Sequence, residues 1–583
     1  MNWDLDRLYR GFSDPSFARD LRSVTDEIAD ARSVLGTMED TSGAWADVIN
    51  RMISVFQCFN KVYGMVFLTL AADAENDAAL GHYDEIMRIQ TELTQLVSAA
   101  ANRLGGVSDT GALAGADPLL AEHAYVLSTL KKQAAHTMDA AIEPHILKMR
   151  MTGSRAFSQL RDMLDSTLLI EVEKGGKNES LPLSAVRGMA YDADAAVRRR
   201  AYEAEIAAYP RVEVGMAAAL SAVKGEAIAM AEYKRFDSVL DWSLHEARME
   251  RGTLETMLDA MRASLPAFRK YFRAKAKMLG HSNGLPFYDL FAPLGTSTRT
   301  YTLEEARTLL QTVLGDFSGD MADFVGRAFD ERWIDAYPRA GKQGGAFCAS
   351  VHPLGISYIL SNFDGSLSSV LTLAHELGHA YHSDRLMAET ILNAEYPMPL
   401  AETASIFNET LMSERMLETA SGDERRMLLD QSLTDAAQVV VDILSRYIFE
   451  TEALKLRAHR VPLAKDYKQI MLDAQRDTYG DGLDPEYMHP YMWACKGHYY
   501  DPDLHFYNYP YAFGLLFGKG VFAQYRAKGS SFVQEYDGLL TATAKGDVEN
   551  VAATAHINVR DAAFWRASLD EICRMIDAFT DMA

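Results

Sequence analysis

Residues Leu371 to Ser383 read LTLAHELGHAYHS. His375 and His379 are separated by one helical turn, so a helix would carry both imidazoles on one face, with Cβ atoms about 5–6 Å apart. That spacing suits two ligands of one metal ion, and Glu376 is placed to act on a water beside the metal rather than as a ligand. The remaining residues are mostly apolar, which is typical of a buried helix, and a buried helix seldom carries such polar groups without partners. We therefore predict a helix over about 367–387 that holds the metal site of a zinc hydrolase.

Two short strand-like segments precede this helix. Gly344–Val351 and Ile356–Asn362 are bounded by turn residues and predict a pair of strands. One interpretation is a core hairpin that supports the helix; the other is an edge strand that pairs with an extended peptide. In the second case the strand from Ser357 onward pairs with the peptide, and Gly355 and Ser357 are candidate substrate-binding residues.

The metal site needs a further ligand, because catalytic zinc usually takes three protein ligands and leaves one position to water. In the helix predicted from Leu400 to Thr419, Glu402, Ser405 and Glu409 are spaced i, i+3 and i+7, which places them on one face. Their neighbours are apolar enough to predict burial, and a buried acidic face requires a cation. Zinc is the nearest candidate.

Two spaced motifs carry a family resemblance. HELGH at 375–379 and PLAETASIFNE at 399–409 resemble the oligopeptidase F family, within the wider group of thimet-oligopeptidase-like zinc peptidases. The resemblance implies that Glu402 is the third ligand of a single Zn²⁺ ion, beside His375 and His379.

Glu409 has a different expected role. Metal-bound imidazoles usually donate their second N–H to a carboxylate or a carbonyl, and Glu409 shares the predicted face of Glu402. We expect Glu409 to orient a ligating His in this way, with Asp384 as a weaker alternative.

An aromatic block extends from Trp493 to Gly514. It holds five Tyr and two His within the 14 residues from His498 to Tyr511, a composition that favours donors lining a cleft over a plain core helix. An aromatic-rich structural loop is the alternative. The block also resembles the family, and this implies that His498 and Tyr511 bind the carbonyl and the oxyanion of the scissile peptide. Three neighbours are candidate substitutes in substrate binding: Tyr507, Tyr509 and His505.

The rest of the chain predicts a mainly α protein. Apolar residues recur at helical spacing through the first third, and one β-prone break, Thr167 to Val172, predicts a small hairpin. We expect an N-terminal helical lobe over 1–195 and a zinc metallopeptidase catalytic region over 196–583. The resemblance implies two helical lobes that enclose a deep substrate channel, with a small β-hairpin or sheet next to the active-site helix, and hence short unstructured peptides as substrates. Three Gly-rich joints are candidate hinges for lobe closure: Gly175–Gly176, Gly344–Gly345 and Gly480–Gly482.

Composition and charge exclude several partners. Lys plus Arg number 58 and Asp plus Glu 81, a net charge of −23 without a dense basic run, so nucleic acid and anionic membranes are poor partners. The N-terminus lacks the pattern of a secretory signal, and the longest apolar-rich run, Val62 to Ala72, is too short to span a bilayer. Four widely spaced Cys favour reduced thiols. We expect a cytoplasmic protein, of open oligomeric state, whose partners are oligopeptides.

Together these observations predict a zinc-dependent oligoendopeptidase that hydrolyses internal peptide bonds. Glu376 would accept a proton from the zinc-activated water and pass it to the leaving amine. One alternative is a zinc carboxypeptidase, which needs a cation for the free C-terminal carboxylate; Arg385, Lys496 and Arg526 are available. Another is a non-catalytic peptide-binding protein with structural zinc, which has no use for Glu376 and would add a fourth protein ligand in place of water.

Overall fold

The computed structural model of the protein describes residues 1–139, 141–174, 177–295 and 299–583. Helices make up 72% of the chain, and the strands among the described residues are few and short, which confirms the predicted mainly α fold. The predicted hinge at Gly175–Gly176 lies outside the described residues.

The helices of the first half are α1 (Pro15–Thr37), α2 (Ser42–Ala72), α3 (Asp77–Gly105), α4 (Thr110–Gly115), α5 (Pro118–Glu122), α6 (Ala124–Ala134), α7 (Glu143–Thr152), α8 (Ser154–Ser166), α9 (Leu183–Gly188), α10 (Ala195–Ala208), α11 (Glu213–Tyr233), α12 (Val239–Glu246) and α13 (Arg251–Met278). Those of the second half are α14 (Leu303–Phe317), α15 (Gly319–Asp330), α16 (Leu367–Leu386), α17 (Met398–Ala401), α18 (Thr403–Thr419), α19 (Gly422–Ala437), α20 (Ile443–His459), α21 (Ala464–Tyr479), α22 (Met492–Cys495), α23 (Tyr509–Lys528), α24 (Val533–Ala542), α25 (Val548–Thr554) and α26 (Ala562–Thr580).

The chain forms two compact units, as the predicted pair of helical lobes requires. Unit 1 is made of Met1–Thr137, Thr298–Met416 and Gln524–Ile557, and unit 2 of Met138–Ser297, Leu417–Ala523 and Asn558–Ala583. The boundary predicted near residue 195 falls inside the first segment of unit 2. The division into an N-terminal lobe and a catalytic region stays a prediction, and so does the deep channel.

Unit 1 begins with α1, α2 and α3, which pack against one another. Asp14 starts α1 by accepting a hydrogen bond from the Ser16 N–H at 2.8 Å, and Pro15 occupies the first helical position, where its missing N–H costs nothing. The predicted apolar stripe of α1 is buried: Phe17, Leu21, Val24 and Ile28.

Two small sheets accompany the helices. In unit 2, β1 (Leu169–Lys174) and β2 (Lys177–Pro182) pair in an antiparallel hairpin, which confirms the predicted one. In unit 1, β3 (Ile334–Asp335), β4 (Phe347–Val351) and β5 (Ile356–Leu360) form a sheet in the order β3-β5-β4. Helix α16 packs against β4 and β5, so the predicted sheet beside the metal helix is present.

The order of this sheet corrects one expectation. Strand β5 is central, because Ser357 pairs with Ser350 of β4 and the end of β5 pairs with β3. The edge strands are therefore β3 and β4, and the strand from Ser357 onward lies between them. The sequence did not indicate this because β3 is only two residues long and joins the sheet through non-local pairing.

Two helices, α2 and α11, are long and apolar enough to cross a membrane by length and composition alone. Helix α2 contains the apolar run Val62–Ala72 and extends well beyond it. Both helices pack against other helices of their own unit, α2 against α1 and α3, and α11 against α8 and α20.

Candidate active site

Helix α16 carries the two histidines of the predicted metal site. The helix begins after Ser366, whose side chain accepts a hydrogen bond from the Ser369 N–H at 3.2 Å. Its apolar face is buried against β4 and β5. The imidazoles of His375 and His379 project from one side, with ring centroids 4.9 Å apart. The predicted helix and the shared face are confirmed.

Glu402 lies in the turn between α17 and α18 and reaches both imidazoles. Its Oε2 is 3.3 Å from His375 Nε2 and 3.4 Å from His379 Nε2. One ligand atom from each of these residues lies within 4.8 Å of the others. Ser405 Oγ donates to the same Oε2 at 2.7 Å and so orients the carboxylate. Helix α18 begins at Thr403, later than predicted, so Glu402 precedes the helix instead of lying within it.

A glycine allows these elements to meet. A Cβ on Gly378 would lie 2.5 Å from the Ala404 carbonyl oxygen and 2.6 Å from Ser405 Cα. Only glycine permits so close an approach of α16 to the start of α18, and this approach brings Glu402 to the imidazoles. The sequence carried a signal for it, since a Gly inside a helix costs about 1 kcal/mol relative to Ala and needs a packing reason.

Glu409 contacts the outer nitrogen of His375. Its Oε2 lies 3.2 Å from His375 Nδ1, while His375 Nε2 faces Glu402. A carboxylate at Nδ1 favours the tautomer whose Nε2 lone pair is free for a metal. Asp384 is engaged elsewhere, because its carboxylate pairs with Arg385 at 2.6 Å and Arg327 at 3.2 Å.

The site attracts positive charge. Burial alone would lower the pKa of His375, but hydrogen bonds to Glu402 and Glu409 outweigh it and raise the pKa to about 10. Burial alone would raise the pKa of Glu402, yet hydrogen bonds from His375 and His379 hold it well below its usual range. Two imidazoles and one carboxylate are a donor set that suits Zn²⁺. The residues present therefore fit the predicted ion.

Glu376 lies beside this cluster with an unused oxygen. Its side chain is buried, and Oε2 makes no hydrogen bond to any residue that the structure describes. Burial raises the pKa of this carboxyl, although the neighbouring histidines oppose the shift. A buried carboxylate oxygen is costly unless water or a ligand satisfies it. Glu376 is thus placed to exchange a proton with a molecule bound here.

A cavity of about 450 Å³, called here the metal cavity, exposes these groups. Besides the ligand candidates and Glu376, its lining residues were not anticipated, and they include Cys348 on β4, Ser383 on α16 and Tyr396 in the loop before α17. No local pattern marks these three, because each belongs to a different element and they meet only in the folded unit.

In unit 2, His498 is held by a chain of hydrogen bonds. Asn508 Nδ2 lies 2.8 Å from His498 Nε2, and Arg446 donates to Asn508 Oδ1 at 2.9 Å. Arg446 is itself paired with Asp442, the last residue of a π-helical turn, Gln438–Asp442. Burial and the positive charges around it, with Arg446 foremost, lower the pKa of His498 to about 3, so the ring is neutral.

Tyr507 and Tyr511 form a pair next to this histidine. Their hydroxyls are hydrogen-bonded to each other, and the Tyr507 ring lies 5.7 Å from the His498 ring. The structure thus brings together His498, Tyr507 and Tyr511. Either hydroxyl can be the donor in this bond, since a phenol both donates and accepts.

Four other candidates have structural roles within their own unit. His505 packs edge-on against Trp242, and Tyr509 accepts a hydrogen bond from Ser243, so both belong to the core of unit 2. Ser357 is buried and hydrogen-bonded to Ser350. Gly355 closes the β4–β5 turn with φ +64°, a left-handed conformation that explains the glycine. Neither Gly355 nor Ser357 lines the metal cavity.

The cations considered for a terminal carboxylate are also placed. Arg385 pairs with Asp384 at 2.6 Å, and Arg526 pairs with Glu414 at 2.5 Å. Lys496 lines a cavity within unit 2. Among the described residues that line the metal cavity, none is Lys or Arg.

Comparison with known proteins gives concordant matches. The sequence model of peptidase family M3 matches residues 188–569. Group B oligopeptidase PepB of Streptococcus agalactiae is 23% identical over 88% of this chain and 85% of its own length. Oligopeptidase PepF of Bacillus subtilis is 20% identical over 93% of this chain and 81% of its own length.

Solved structures share the fold. The structure of oligoendopeptidase-F from Enterococcus faecium superposes with a TM-score of 0.71 at 17% identity, over 97% of this chain and 98% of that one. At this level of identity the likeness concerns the fold, and it agrees with the mainly α, two-lobed architecture.

Proposed function

We propose that this chain, a metalloendopeptidase of peptidase family M3, is a zinc-dependent oligoendopeptidase. Within the family it belongs to the oligopeptidase F group, which its motifs resemble. In this proposal it hydrolyses internal bonds of short unstructured peptides. His375, His379 and Glu402 hold one Zn²⁺ ion, and Glu376 is the general base.

The observation that carries the proposal is the arrangement of four side chains in unit 1. Three of them offer ligand atoms within 4.8 Å of one another. The fourth, Glu376, adjoins them with a buried oxygen that no described residue satisfies. Three ligands and a free acid are the composition of a catalytic zinc site, whereas a structural site is closed by a fourth ligand.

The chain's own residues account for the proton transfers. Bound zinc supplies a Lewis acid that lowers the pKa of water and polarises the scissile carbonyl. Glu376 accepts the proton of the attacking water and later delivers it to the leaving amine. Glu409 holds a proton on His375 Nδ1, 3.2 Å away, and keeps Nε2 available.

His498 and Tyr511 are proposed to act on the scissile carbonyl, as the family resemblance implies. His498 is a neutral donor in this role, since its pKa is lowered to about 3 by burial and by neighbouring cations. Tyr511 donates its hydroxyl proton, and Tyr507 supports it through their shared hydrogen bond. Preorganised donors of this kind are typically worth about 2.7–4 kcal/mol each in the transition state.

Strand β4 is the proposed partner of the peptide backbone. It is an edge strand of its sheet, and Phe347, Cys348 and Ser350 on it line the metal cavity. An edge strand offers unpaired N–H and C=O groups that an extended peptide can pair with. β4 takes over the role that was expected of the strand from Ser357.

The carboxypeptidase alternative is weakened by the lining of the metal cavity. Such an enzyme needs a cation that grips the terminal carboxylate. Arg385 and Arg526 are paired with carboxylates, and the described lining of the cavity contains neither Lys nor Arg.

The wider setting is also proposed. The catalytic region is 196–583, which contains every residue assigned here to catalysis, and the family model covers a similar span, 188–569. The proposed location is the cytoplasm, in keeping with four free cysteines. The proposed partners are oligopeptides, because a chain with net charge −23 is a poor partner for nucleic acid or an anionic membrane.

The proposal is tested with an internally quenched peptide whose two ends are acetylated and amidated. We expect cleavage at an internal bond, loss of activity on treatment with a chelator and recovery when one equivalent of Zn²⁺ is added. Cleavage only of peptides with a free C-terminal carboxylate would favour the carboxypeptidase. Full activity after removal of the metal would contradict the proposal.

A further inference from the structure

A second cavity adjoins the metal cavity within unit 1. This aromatic cavity, as we call it, has a volume of about 770 Å³ and lies between the facing sides of α2 and α3 and the segment that follows α16. Its described lining contains no Lys or Arg and includes a set of apolar and aromatic side chains: Phe59 and Tyr63 of α2, Leu93 and Val97 of α3, and Met387 and Ile391. Its volume and its largely apolar and aromatic lining are typical of a ligand pocket.

The two cavities are adjacent and share three lining residues. Ser350, Ser383 and Tyr396 line both of them. A peptide bound at the metal cavity could therefore extend a side chain into the aromatic cavity past these three residues.

A row of aromatic rings follows the same path. The centroids of Phe59 and Tyr63 are 5.6 Å apart, those of Tyr63 and Phe67 5.6 Å, and those of Phe67 and Phe347 5.2 Å. Phe347 lines the metal cavity, whereas Phe59 and Tyr63 line the aromatic cavity. Phe59 and Tyr63 are only half-buried, so part of each ring is left for a ligand to cover.

Asn60 holds the end of β4, where Ser350 lines both cavities. Its Oδ1 accepts a hydrogen bond from the His352 N–H at 3.0 Å, and its Nδ2 donates to the Ser350 carbonyl at 3.5 Å. Helix α2 is thereby tied to the end of β4, the proposed peptide-binding strand. Residues on α2 can then position a substrate side chain relative to the backbone that carries it.

We propose that the aromatic cavity is a specificity subsite that receives a bulky apolar or aromatic side chain of the peptide on one side of the scissile bond. The inference rests on the proposed peptidase function and adds the class of side chain that selects the cleaved bond. A pocket of this kind favours a large ring over a methyl group by roughly tenfold to a hundredfold in kcat/KM.

The test uses pairs of blocked, internally quenched peptides that differ only by Phe or Ala at one position, scanned on both sides of the scissile bond. The variant Thr94→Trp fills the aromatic cavity from an exposed position of α3 that lines it. The matched control is Thr91→Trp on the same helix, which is exposed and does not line the cavity. Both threonines donate to the carbonyl four residues earlier at 3.0 Å, so the two variants lose equivalent hydrogen bonds.

For the wild-type enzyme we expect a preference for Phe over Ala of about tenfold or more at one position. Thr94→Trp should abolish that preference by slowing the Phe peptide, leaving the Ala peptide within twofold, and Thr91→Trp should change neither. The subsite would be overturned if Thr94→Trp lowered kcat/KM equally for both peptides or left the preference unchanged. It would also be overturned if the wild type showed no preference. If the wild type cleaves none of the peptides, the proposed function fails instead, which is a distinct result.

Discussion

Asn508 fixes the tautomer of His498. Asn508 Nδ2 lies 2.8 Å from His498 Nε2, and Arg446 donates to Asn508 Oδ1 at 2.9 Å. Since a guanidinium can only donate, the amide oxygen faces Arg446 and the NH₂ group faces the imidazole. His498 Nε2 therefore accepts, and its single proton resides on Nδ1. The N–H that can bind a substrate carbonyl is the one on Nδ1.

Replacing Asn508 by Ala should remove this constraint on the tautomer of His498. The neutral ring would then distribute its proton between both nitrogens, so we expect kcat to fall by about 10–100-fold, the usual cost of losing a group that orients a functional His. In a His498→Ala background the same change should cost nothing further, because the two residues act as one unit. Additive losses in the double variant would show that Asn508 acts independently of His498.

The hydroxyl pair of Tyr507 and Tyr511 predicts unequal effects. Tyr511→Phe removes the proposed oxyanion donor and should lower kcat by about 10²–10³-fold with little change in KM. Tyr507→Phe removes only the partner of that donor and should cost less. The matched control is Tyr509→Phe, since Tyr509 is buried against Ser243 and should be dispensable for turnover. A loss in Tyr507→Phe with none in Tyr511→Phe would transfer the role to Tyr507.

The contact of Gly378 with α18 predicts a coupled loss of stability and metal. In Gly378→Ala the new Cβ would lie 2.5 Å from the Ala404 carbonyl oxygen, so α18 must shift and carry Glu402 away from the imidazoles. We expect lower zinc affinity and a lower melting temperature. The control is Gly81→Ala, where a Cβ on α3 meets nothing within 4 Å. That change should stabilise the helix by up to about 1 kcal/mol. Normal zinc binding by Gly378→Ala would refute the packing argument.

Buried His382 predicts a loss of stability in acid. Burial is the main cause that lowers the pKa of His382 to about 3, and its ring is stacked on Tyr396 at 4.1 Å. The unfolded chain takes up this proton near the ordinary pKa of about 6.5, whereas the folded chain does so only near pH 3. The contribution of His382 to the free energy of unfolding is therefore present above pH 6.5. It is lost as the pH falls toward 3, by at most about 1.4 kcal/mol per pH unit.

This dependence is measured by comparison with His382→Phe, which keeps a ring against Tyr396 but cannot titrate. Near pH 7 the wild type should be the more stable protein, because its Nε2 hydrogen bond to Thr543 at 2.8 Å is intact. The melting temperature of the wild type minus that of His382→Phe, recorded at one scan rate, should be positive near pH 7. It should shrink and then become negative between pH 6.5 and 4. A difference that is constant over this range would mean that His382 is protonated in the folded state.

The parts of the site that the sequence predicted are those encoded locally. His375, Glu376 and His379 share one helix, whose period places them without knowledge of the rest of the fold. Glu402 was found from its motif, but its position in a turn before α18 was not, because the start of that helix is set by the packing of Ala404 against Gly378.

Features that depend on distant contacts were not predictable. The central place of β5 requires β3, which is only two residues long and carries no pattern of its own. Tyr396 and Phe59 enter the two cavities from elements far apart in the chain. In the aromatic block, composition alone did not distinguish Tyr509, which is in the core, from Tyr511, because both belong to one continuous run of Tyr-rich sequence.

Glu376→Gln tests whether Glu376 is the general base of a three-ligand zinc site. The measurement is zinc content per chain together with kcat on a blocked, internally quenched peptide. We expect one bound zinc, as in the wild type, and a kcat lower by about 10²–10⁴-fold, because the amide keeps the shape of the side chain but cannot accept the proton. A variant that retains its zinc and turns over within twofold of the wild type would contradict this assignment.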